Sequence, residues 1–268
     1  MIYKKEIERV FYMVYLGNAI TNVGNVKEVN QDSLTLKIAD TEEGLVCLAV
    51  VCDGLGGLDN GEVASATVVR AFENWFINNV SFLGGVRTED VVERTWKELL
   101  FFVNKKIIDY GKERNRKLGT TVTAVLFVND KYYAVHVGDS RLYRIKQTVQ
   151  QITRDHTVVE QERGTDAKTE VLGLSSKHSS NVLWQCVGVT EDLKPDFLVG
   201  EVESGTGYLI CSDGFRHVIT HKEIWEHCNV ECNATDADIK DNLERLVALN
   251  MERGERDNIS AILVTVDE

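Results

Sequence analysis

Apolar and polar residues follow one another along this chain in patterns that predict both strands and helices. Seven apolar runs are rich in Val, Ile, Tyr and Thr and are bounded by Gly, Asn or Asp, which is typical of strands. They span residues 33–40, 44–52, 121–129, 131–138, 140–146, 207–212 and 258–266. Two of these runs meet at Asn129 and Asp130, a short turn that favours antiparallel pairing.

Three longer segments show helical periodicity instead. Residues 61–76 and 88–111 each place their large apolar side chains on one face, as an amphipathic helix does. The third segment, 235–254, begins with a capping box formed by Thr235 and Asp238, and Gly254 supplies a stop. Antiparallel strands with long helices inserted between them predict an α+β fold rather than a doubly wound parallel sheet.

The composition predicts one domain that spans residues 1–268. The hydrophobic content of 43% is enough for a packed core, and the chain has one proline and no Gly/Ser linker or repeat. No apolar run approaches the roughly 20 residues that a membrane-spanning helix needs. Charged residues interrupt the N-terminal segment, which argues against a signal peptide.

The cysteine content indicates the cellular compartment, and the net charge limits the kinds of partner that the protein can bind. The six cysteines form no CxxC pair, and three of them lie in apolar runs, so we expect free thiols and a cytoplasmic protein. The net charge of -12 argues against a nucleic-acid partner, which would require clustered Lys and Arg. We expect no membrane partner, and we expect a monomer.

Aspartates recur at the ends of the predicted strands. Asp53 follows the run 44–52, Asp139 and Asp213 follow two other runs, and Asp257 precedes the last one. A single Asp-Gly pair usually makes a turn, but several such acids in one acidic chain need a further explanation. If these strand ends meet, the carboxylates repel one another unless cations lie between them.

Carboxylate clusters of this kind favour Mg²⁺ or Mn²⁺, because these ions prefer oxygen ligands. The glycines after Asp53 allow the backbone to approach closely, so the carbonyl of Gly54 could serve as a further ligand.

Eight short motifs along the chain extend this interpretation. They are TNVGNVKEVNQDSL (21–34), VCDGLGG (51–57), LGTTVTAVLF (118–127), VGDSRLY (137–143), ITRDHT (152–157), NVLWQCVG (181–188), LICSDGF (209–215) and RDNISAILV (256–264). Each motif alone is common, whereas eight in this order are specific. Together they resemble the metal-dependent protein serine/threonine phosphatases of the protein phosphatase 2C type.

The resemblance implies a four-layer α-β-β-α sandwich, two packed antiparallel sheets flanked by helices, with a two-metal centre at one end. By motif, the metal ligands would be Asp53, the Gly54 carbonyl, Asp213 and Asp257. Asp32 would lie at the same metal centre and hold a water there. Asp139 would be a ligand of a third ion. The polar segment 158–180 would form a flap beside the cleft.

Four positions depart from the family pattern, among them Gln31, which replaces the acid commonly found before the aspartate of the first motif. Lys27 stands where the family usually has an arginine that grips the substrate phosphate, so we expect weaker phosphate binding. His217 stands where the family often has an aspartate of the third site; imidazole can bind Mn²⁺ but is a poor ligand for Mg²⁺. Leu55 replaces a histidine of many eukaryotic relatives, which points to a bacterial-like member.

The resemblance therefore implies hydrolysis of phosphoserine and phosphothreonine in proteins by a metal-activated water, with two Mn²⁺ or Mg²⁺ ions per site and a possible third. The implied partners are phosphorylated protein substrates and a cognate Ser/Thr kinase. Two alternatives stay open: a weak or inactive pseudophosphatase that acts as a signalling or binding module, and a phosphatase of small phosphorylated metabolites.

Overall fold

Two antiparallel sheets and six α-helices make up the part of the chain that the structure, a computed structural model, describes: residues 13–42, 44–55, 60–84, 88–164 and 182–267. The strands are β1 Val14–Asn22, β2 Ser33–Thr41, β3 Gly44–Cys52, β4 Val122–Val128, β5 Lys131–Val137, β6 Arg141–Ile145, β7 Val149–Gln151, β8 Asp196–Glu201, β9 Thr206–Cys211 and β10 Ile259–Asp267. The helices are α1 Gly61–Asn79, α2 Thr88–Arg114, α3 Val158–Gly164, α4 Asp213–Arg216, α5 His221–Cys228 and α6 Asp236–Glu252.

Each sheet has five strands, and each pairing within it is antiparallel. The first sheet has the order β1-β10-β9-β6-β7, and the second has the order β2-β3-β4-β5-β8. The β4–β5 hairpin turns at Asn129, whose φ of 54° is the left-handed conformation that short hairpin turns require.

The buried side chains of β3 show how the layers are stacked. Val46, Leu48 and Val50 pack in a cluster with the apolar faces of α1 and α2, whereas Cys47 and Ala49 point the other way, into a cluster shared with the first sheet. Because successive side chains of a strand point to opposite faces, a strand covered on both sides is apolar throughout. This is why β3 reads as an unbroken apolar run.

A third cluster joins the outer face of the first sheet to the C-terminal helices. Leu209 of β9 and Leu263 of β10 pack there against Phe215, Leu243 and Leu246. Each such side chain contributes roughly 1.5–3 kcal/mol when it is fully buried. Helices, sheet, sheet and helices follow one another, so the α+β fold and the four-layer α-β-β-α sandwich are confirmed.

Most predicted elements are present with boundaries shifted by a few residues, but several shorter ones were not predicted. All seven predicted strands and all three predicted helices form, and α6 begins with the capping box of Thr235 and Asp238. The sequence pattern missed β1, β7 and β8 as well as α3, α4 and α5. Of the predicted flap 158–180, the structure describes α3, and the remainder lies outside the described residues. None of the helices in the described ranges is long and apolar enough to cross a membrane.

Candidate metal centre

The strand register brings the predicted acids of the second sheet to one end of the sandwich. Asp32 immediately precedes β2 and Asp53 immediately follows β3, and the neighbouring residues Ser33 and Cys52 are paired across the two strands. Asp139 follows the end of β5, which lies beside the start of β4, and the start of β4 pairs with the end of β3. The three carboxylates therefore lie together at one end of the second sheet, because neighbouring antiparallel strands begin and finish there in turn.

The first sheet contributes two more acids at that end. Asp213 begins α4 just after β9, and Asp257 lies just before β10. The pairing of Cys211 with Ala261 places the end of β9 beside the start of β10. These two acids are thus neighbours although they are far apart in the sequence.

Hydrogen bonds at this end connect the two sheets directly. The Ser212 hydroxyl donates to Asp32 Oδ2 at 3.0 Å, and the Gln31 amide donates to Asn258 Oδ1 at 2.9 Å. These contacts join the residues just before β2 to the residue just before α4 and to the residue just before β10, so the acids of both sheets face a common space.

The electrostatic state of Asp53 reflects this convergence. Loss of solvation raises the pKa of the Asp53 carboxyl well above its ordinary value, and the carboxylates of Asp32, Asp213, Asp139 and Asp257 raise the pKa further. Four nearby carboxylates therefore disfavour a negative charge on Asp53 unless a cation compensates their repulsion.

Asp32 and Asp139 show the same effect. Burial raises the pKa of Asp32 to about 7, with a further rise from Asp213 and Asp257, although hydrogen bonds from Ser212 and Ser260 lower it. Burial, followed by the charge of Asp213, raises the pKa of Asp139 to about 7 against the opposing effect of Arg216.

Two of the predicted ligands are in contact with basic side chains of the same chain. Lys27 Nζ lies 3.0 Å from Asp257 Oδ1. His217 lies between two acids, with Nε2 at 3.4 Å from Asp213 Oδ2 and Nδ1 at 3.6 Å from Glu255 Oε2. Within the described ranges no group of three or more His, Cys, Asp or Glu side chains is arranged closely enough to hold a metal ion. The acids therefore converge without forming a closed coordination shell.

Gly54 lies where the backbone of the centre is tightly packed. Its N–H donates to the Gln31 carbonyl at 3.2 Å, and it forms a bridge to Thr120. A Cβ at this position would collide with the Gln31 carbonyl and with the backbone of Gly61. Only a glycine fits this packing, and both the approach of the Gly54 backbone to a metal ion and the role of its carbonyl as a ligand stay predictions.

The chemistry of the donor atoms, rather than a closed arrangement of them, suits hard divalent cations. Asp32 Oδ1 and Asp213 Oδ1 are buried and have no hydrogen-bond partner among the described residues. Buried carboxylate oxygens normally have partners, because an unsatisfied polar atom in the interior costs free energy. Oxygen atoms of this kind are the ligands that Mg²⁺ and Mn²⁺ prefer, and a cation among them would also offset the repulsion between the carboxylates.

Two residues of the centre were missed by the sequence reasoning. Arg216 Nη2 donates to the backbone carbonyl of Asp139 at 3.1 Å and lies 3.7 Å from Asp155, so it ties α4 to the loop after β5. Ser212 supports Asp32 across the sheets. The sequence could have pointed to both residues through their position beside Asp213, because Ser212 precedes Asp213 and Arg216 follows it about one helical turn later.

Comparison with known proteins agrees with this geometry. The family model described as protein phosphatase 2C matches residues 24–248. A curated relative named protein phosphatase PhpP, from Streptococcus pneumoniae, is 28% identical over 253 residues, which cover 93% of this chain and 96% of that protein.

Solved structures give the same result. A serine/threonine phosphatase from S. agalactiae is 28% identical, with a TM-score of 0.75, 96% of this chain covered and 100% of the other. The catalytic domain of the serine/threonine protein phosphatase PstP, solved in complex with two manganese ions, is 25% identical, with a TM-score of 0.74 and the same coverage of 96% and 100%. The matched regions thus include nearly the whole chain.

Proposed function

The chain belongs to the protein phosphatase 2C family, and on this premise we propose that it is a divalent-cation-dependent phosphatase of phosphoserine and phosphothreonine in proteins. The observation that carries the proposal is the convergence of Asp32, Asp53, Asp139, Asp213 and Asp257 at one end of the sandwich. The names of the relatives PhpP and PstP, and the two manganese ions in the PstP structure, support the same conclusion.

We assign the residues to roles as follows. Asp32, Asp53, the Gly54 carbonyl, Asp213 and Asp257 would hold two Mn²⁺ or Mg²⁺ ions, and Asp139 with His217 would serve a third. When bound, such ions activate a water nucleophile and stabilise charge on the phosphoryl oxygens.

Two side chains of the chain itself would act on the phosphate and on the water. Lys27 extends its ammonium group to the same end of the sandwich and is the candidate contact for the substrate phosphate. Asp32 suits the role of holding a water at the centre, because its Oδ2 accepts from Ser212 while its Oδ1 is buried without a partner among the described residues.

The biological setting follows from the proposed reaction. A protein that removes phosphate from serine and threonine requires an opposing Ser/Thr kinase to supply its substrates. We propose a single catalytic domain over residues 1–268 that acts as a monomer. The cytoplasm is the expected compartment, because all six cysteines are free thiols.

The test measures phosphate release from a phosphothreonine peptide and from p-nitrophenyl phosphate, with Mn²⁺, with Mg²⁺ and with EDTA. We expect turnover with a divalent cation, none with EDTA, and a loss of at least about 100-fold in Asp213→Asn, because a ligand carboxylate is removed. Asp241→Asn, on the exposed face of α6, is the matched control and should behave like the wild type.

Other outcomes would change the assignment. Turnover in EDTA, or no turnover under any condition, would remove the proposed function and favour the binding module. Activity on small phosphorylated metabolites without activity on phosphopeptides would replace the substrate class.

A further inference from the structure

A basic segment spans the end of α2 and the residues that follow it in this otherwise acidic chain. Residues 112–117 have the sequence KERNRK, with four cations and one acid, whereas the whole chain has a net charge of -12. Lys112 and Arg114 belong to the last turn of α2, where cations complement the partial negative charge of the helix end. Arg116 and Lys117 lie beyond the helix, so the helix dipole does not account for them.

The two cations inside the helix already have partners. Lys112 Nζ lies 3.1 Å from Glu191 Oε1. Arg114 lies 3.3 Å from Glu113 Oε2, and its guanidinium also stacks at 3.7 Å over the ring of Tyr110. Their charges are therefore partly compensated within the chain.

The two cations beyond the helix differ in this respect. Arg116 Nη1 donates to the Asn60 amide oxygen at 2.6 Å, and this partner is neutral. Among residues whose placement is described, neither Arg116 nor Lys117 is paired with a carboxylate. Both side chains are exposed, so two positive charges remain available at this surface.

Arg116 and Lys117 line a cavity that is large enough to hold a short peptide segment. The cavity has a volume of about 660 Å³, and its walls include Lys112, Arg116, Lys117, Leu118 and Gly188. This volume lies within the range of about 300–1,000 Å³ that is usual for ligand sites. Among the described residues that line it, Glu191, the partner of Lys112, is the one acid.

The segment also adjoins the metal centre. The Leu55 amide donates to the Gly119 carbonyl at 3.0 Å, and the Thr121 amide donates to the Asp53 carbonyl at 2.8 Å. The chain from Arg116 to Thr121 therefore runs beside the loop that begins at Asp53. This rim of the cavity therefore lies next to the centre in the chain and in the fold.

We propose that Arg116 and Lys117, with the adjoining cavity, bind an acidic segment of the phosphoprotein substrate next to the phosphorylated residue. The inference rests on the proposed phosphatase function and specifies its substrate class. Most of the surface of this acidic chain repels an acidic peptide, so local cations are needed to attract one. The exposed guanidinium and ammonium groups are suited to carboxylate side chains.

The experiment compares two phosphothreonine peptides of equal length, one with three glutamates beside the phosphothreonine and one with glutamines there. We expect the wild type with Mn²⁺ to show a kcat/KM about tenfold higher for the acidic peptide at low salt, because each exposed charge pair contributes a factor of roughly 2–5. High salt should reduce this ratio. The ratio should fall to near one in the double variant Arg116→Ala/Lys117→Ala.

Arg114→Ala is the matched control, because it removes the same charge from the same segment but from a side chain that does not line the cavity. It should keep the wild-type ratio. Lys117→Glu is the second variant, since it leaves the contact between Arg116 and Asn60 in place, and it should favour the glutamine peptide.

A binding measurement separates the failure of this inference from the failure of the proposed function. Fluorescence anisotropy with the unphosphorylated acidic peptide, in EDTA, reports docking without turnover. If the wild type hydrolyses both peptides with equal kcat/KM, or if Arg114→Ala lowers the ratio as much as the double variant, the docking site is refuted while the phosphatase stands. If the wild type binds the acidic peptide through Arg116 and Lys117 but hydrolyses neither peptide, the docking site stands and the phosphatase is refuted.

Discussion

Replacement of Asp32 by asparagine should stabilise the metal-free protein while it impairs activity. Asp32 is only 7% exposed, and burial together with its acidic neighbours raises its pKa from an ordinary value of 3.8 to about 7. The folded state therefore keeps the Asp32 proton up to about pH 7, whereas the unfolded state releases it near pH 4. Between these values the folded state binds more protons, so this group lowers stability as pH rises.

The size of the effect follows from the difference in pKa. A rise of about 3 corresponds to at most about 4 kcal/mol at pH 7 and above, since each pKa unit is worth about 1.4 kcal/mol. Asparagine has nearly the same shape and its amide oxygen can still accept from Ser212, but its NH₂ group adds donors that the pocket has to accommodate. We therefore expect a net gain of about 2 kcal/mol and a rise in Tm of about 5 °C.

Thermal unfolding in EDTA, followed by circular dichroism from pH 4 to pH 8, measures this gain. The Tm of Asp32→Asn should lie about 5 °C below that of the wild type at pH 4, where only the cost of the added NH₂ group remains, and the difference should rise through zero and level off at a gain of about 5 °C above pH 7. Mn²⁺ should raise the Tm of the wild type more than that of the variant. Asp241→Asn provides the control for a general effect of charge, because Asp241 is exposed on α6.

Two results would refute the reasoning. The first is an Asp32→Asn variant that is less stable than the wild type in EDTA at pH 8. The second is a gain that is the same at pH 4 and pH 8, because a change independent of pH cannot come from a carboxyl that titrates in this range.

Further predictions concern other sites. His136 is fully buried and its pKa is lowered to about 4, chiefly by burial, so this group alone should lower the free energy of unfolding by about 3 kcal/mol as pH falls from 6.5 to 4. In urea titrations, the difference in free energy of unfolding between the wild type and His136→Gln should therefore change by about this amount between the two pH values, and a constant difference would contradict the prediction. Lys27→Arg should lower KM for a phosphopeptide about threefold without a large change in kcat, because a guanidinium can bind phosphate through two hydrogen bonds; an unchanged KM in steady-state kinetics would remove Lys27 from the phosphate site. Trp96 is fully buried against Phe72 and Trp75, so Trp96→Ala should cost about 3–5 kcal/mol in urea unfolding, and a loss below about 1 kcal/mol would contradict the described core.

The amount of structure that the sequence could predict depended on how completely each element is buried. The strand β3 was predicted with its observed bounds, because both of its faces are covered and the whole run is apolar. The edge strands β1 and β8 were missed, since each includes a glycine and is only partly buried. In α5 only Ile224 and Cys228 are buried, which is too short a pattern to stand out.

Some residues of the candidate site could be predicted from the local sequence, and others could not. The acids were visible because each lies beside a strand end, a position that the local sequence reveals. The support of Asp32 by Ser212 and of the Asp139 loop by Arg216 was not visible, because it depends on how strands distant in sequence are brought together. Likewise, no local pattern shows that Lys27 contacts Asp257, because the two residues lie at opposite ends of the sequence.

The same register that builds the core also assembles the site, so the two cannot be changed independently. A shift of β3 by one residue against β2 would turn Val46, Leu48 and Val50 away from the helices and would separate Asp53 from Asp32. The close packing on both faces of β3 resists such a shift, since every displaced side chain would lose its packing partners. The three apolar clusters thus supply the stability that holds mutually repelling carboxylates together at the end of the sandwich, and the affinity for cations arises from that enforced proximity.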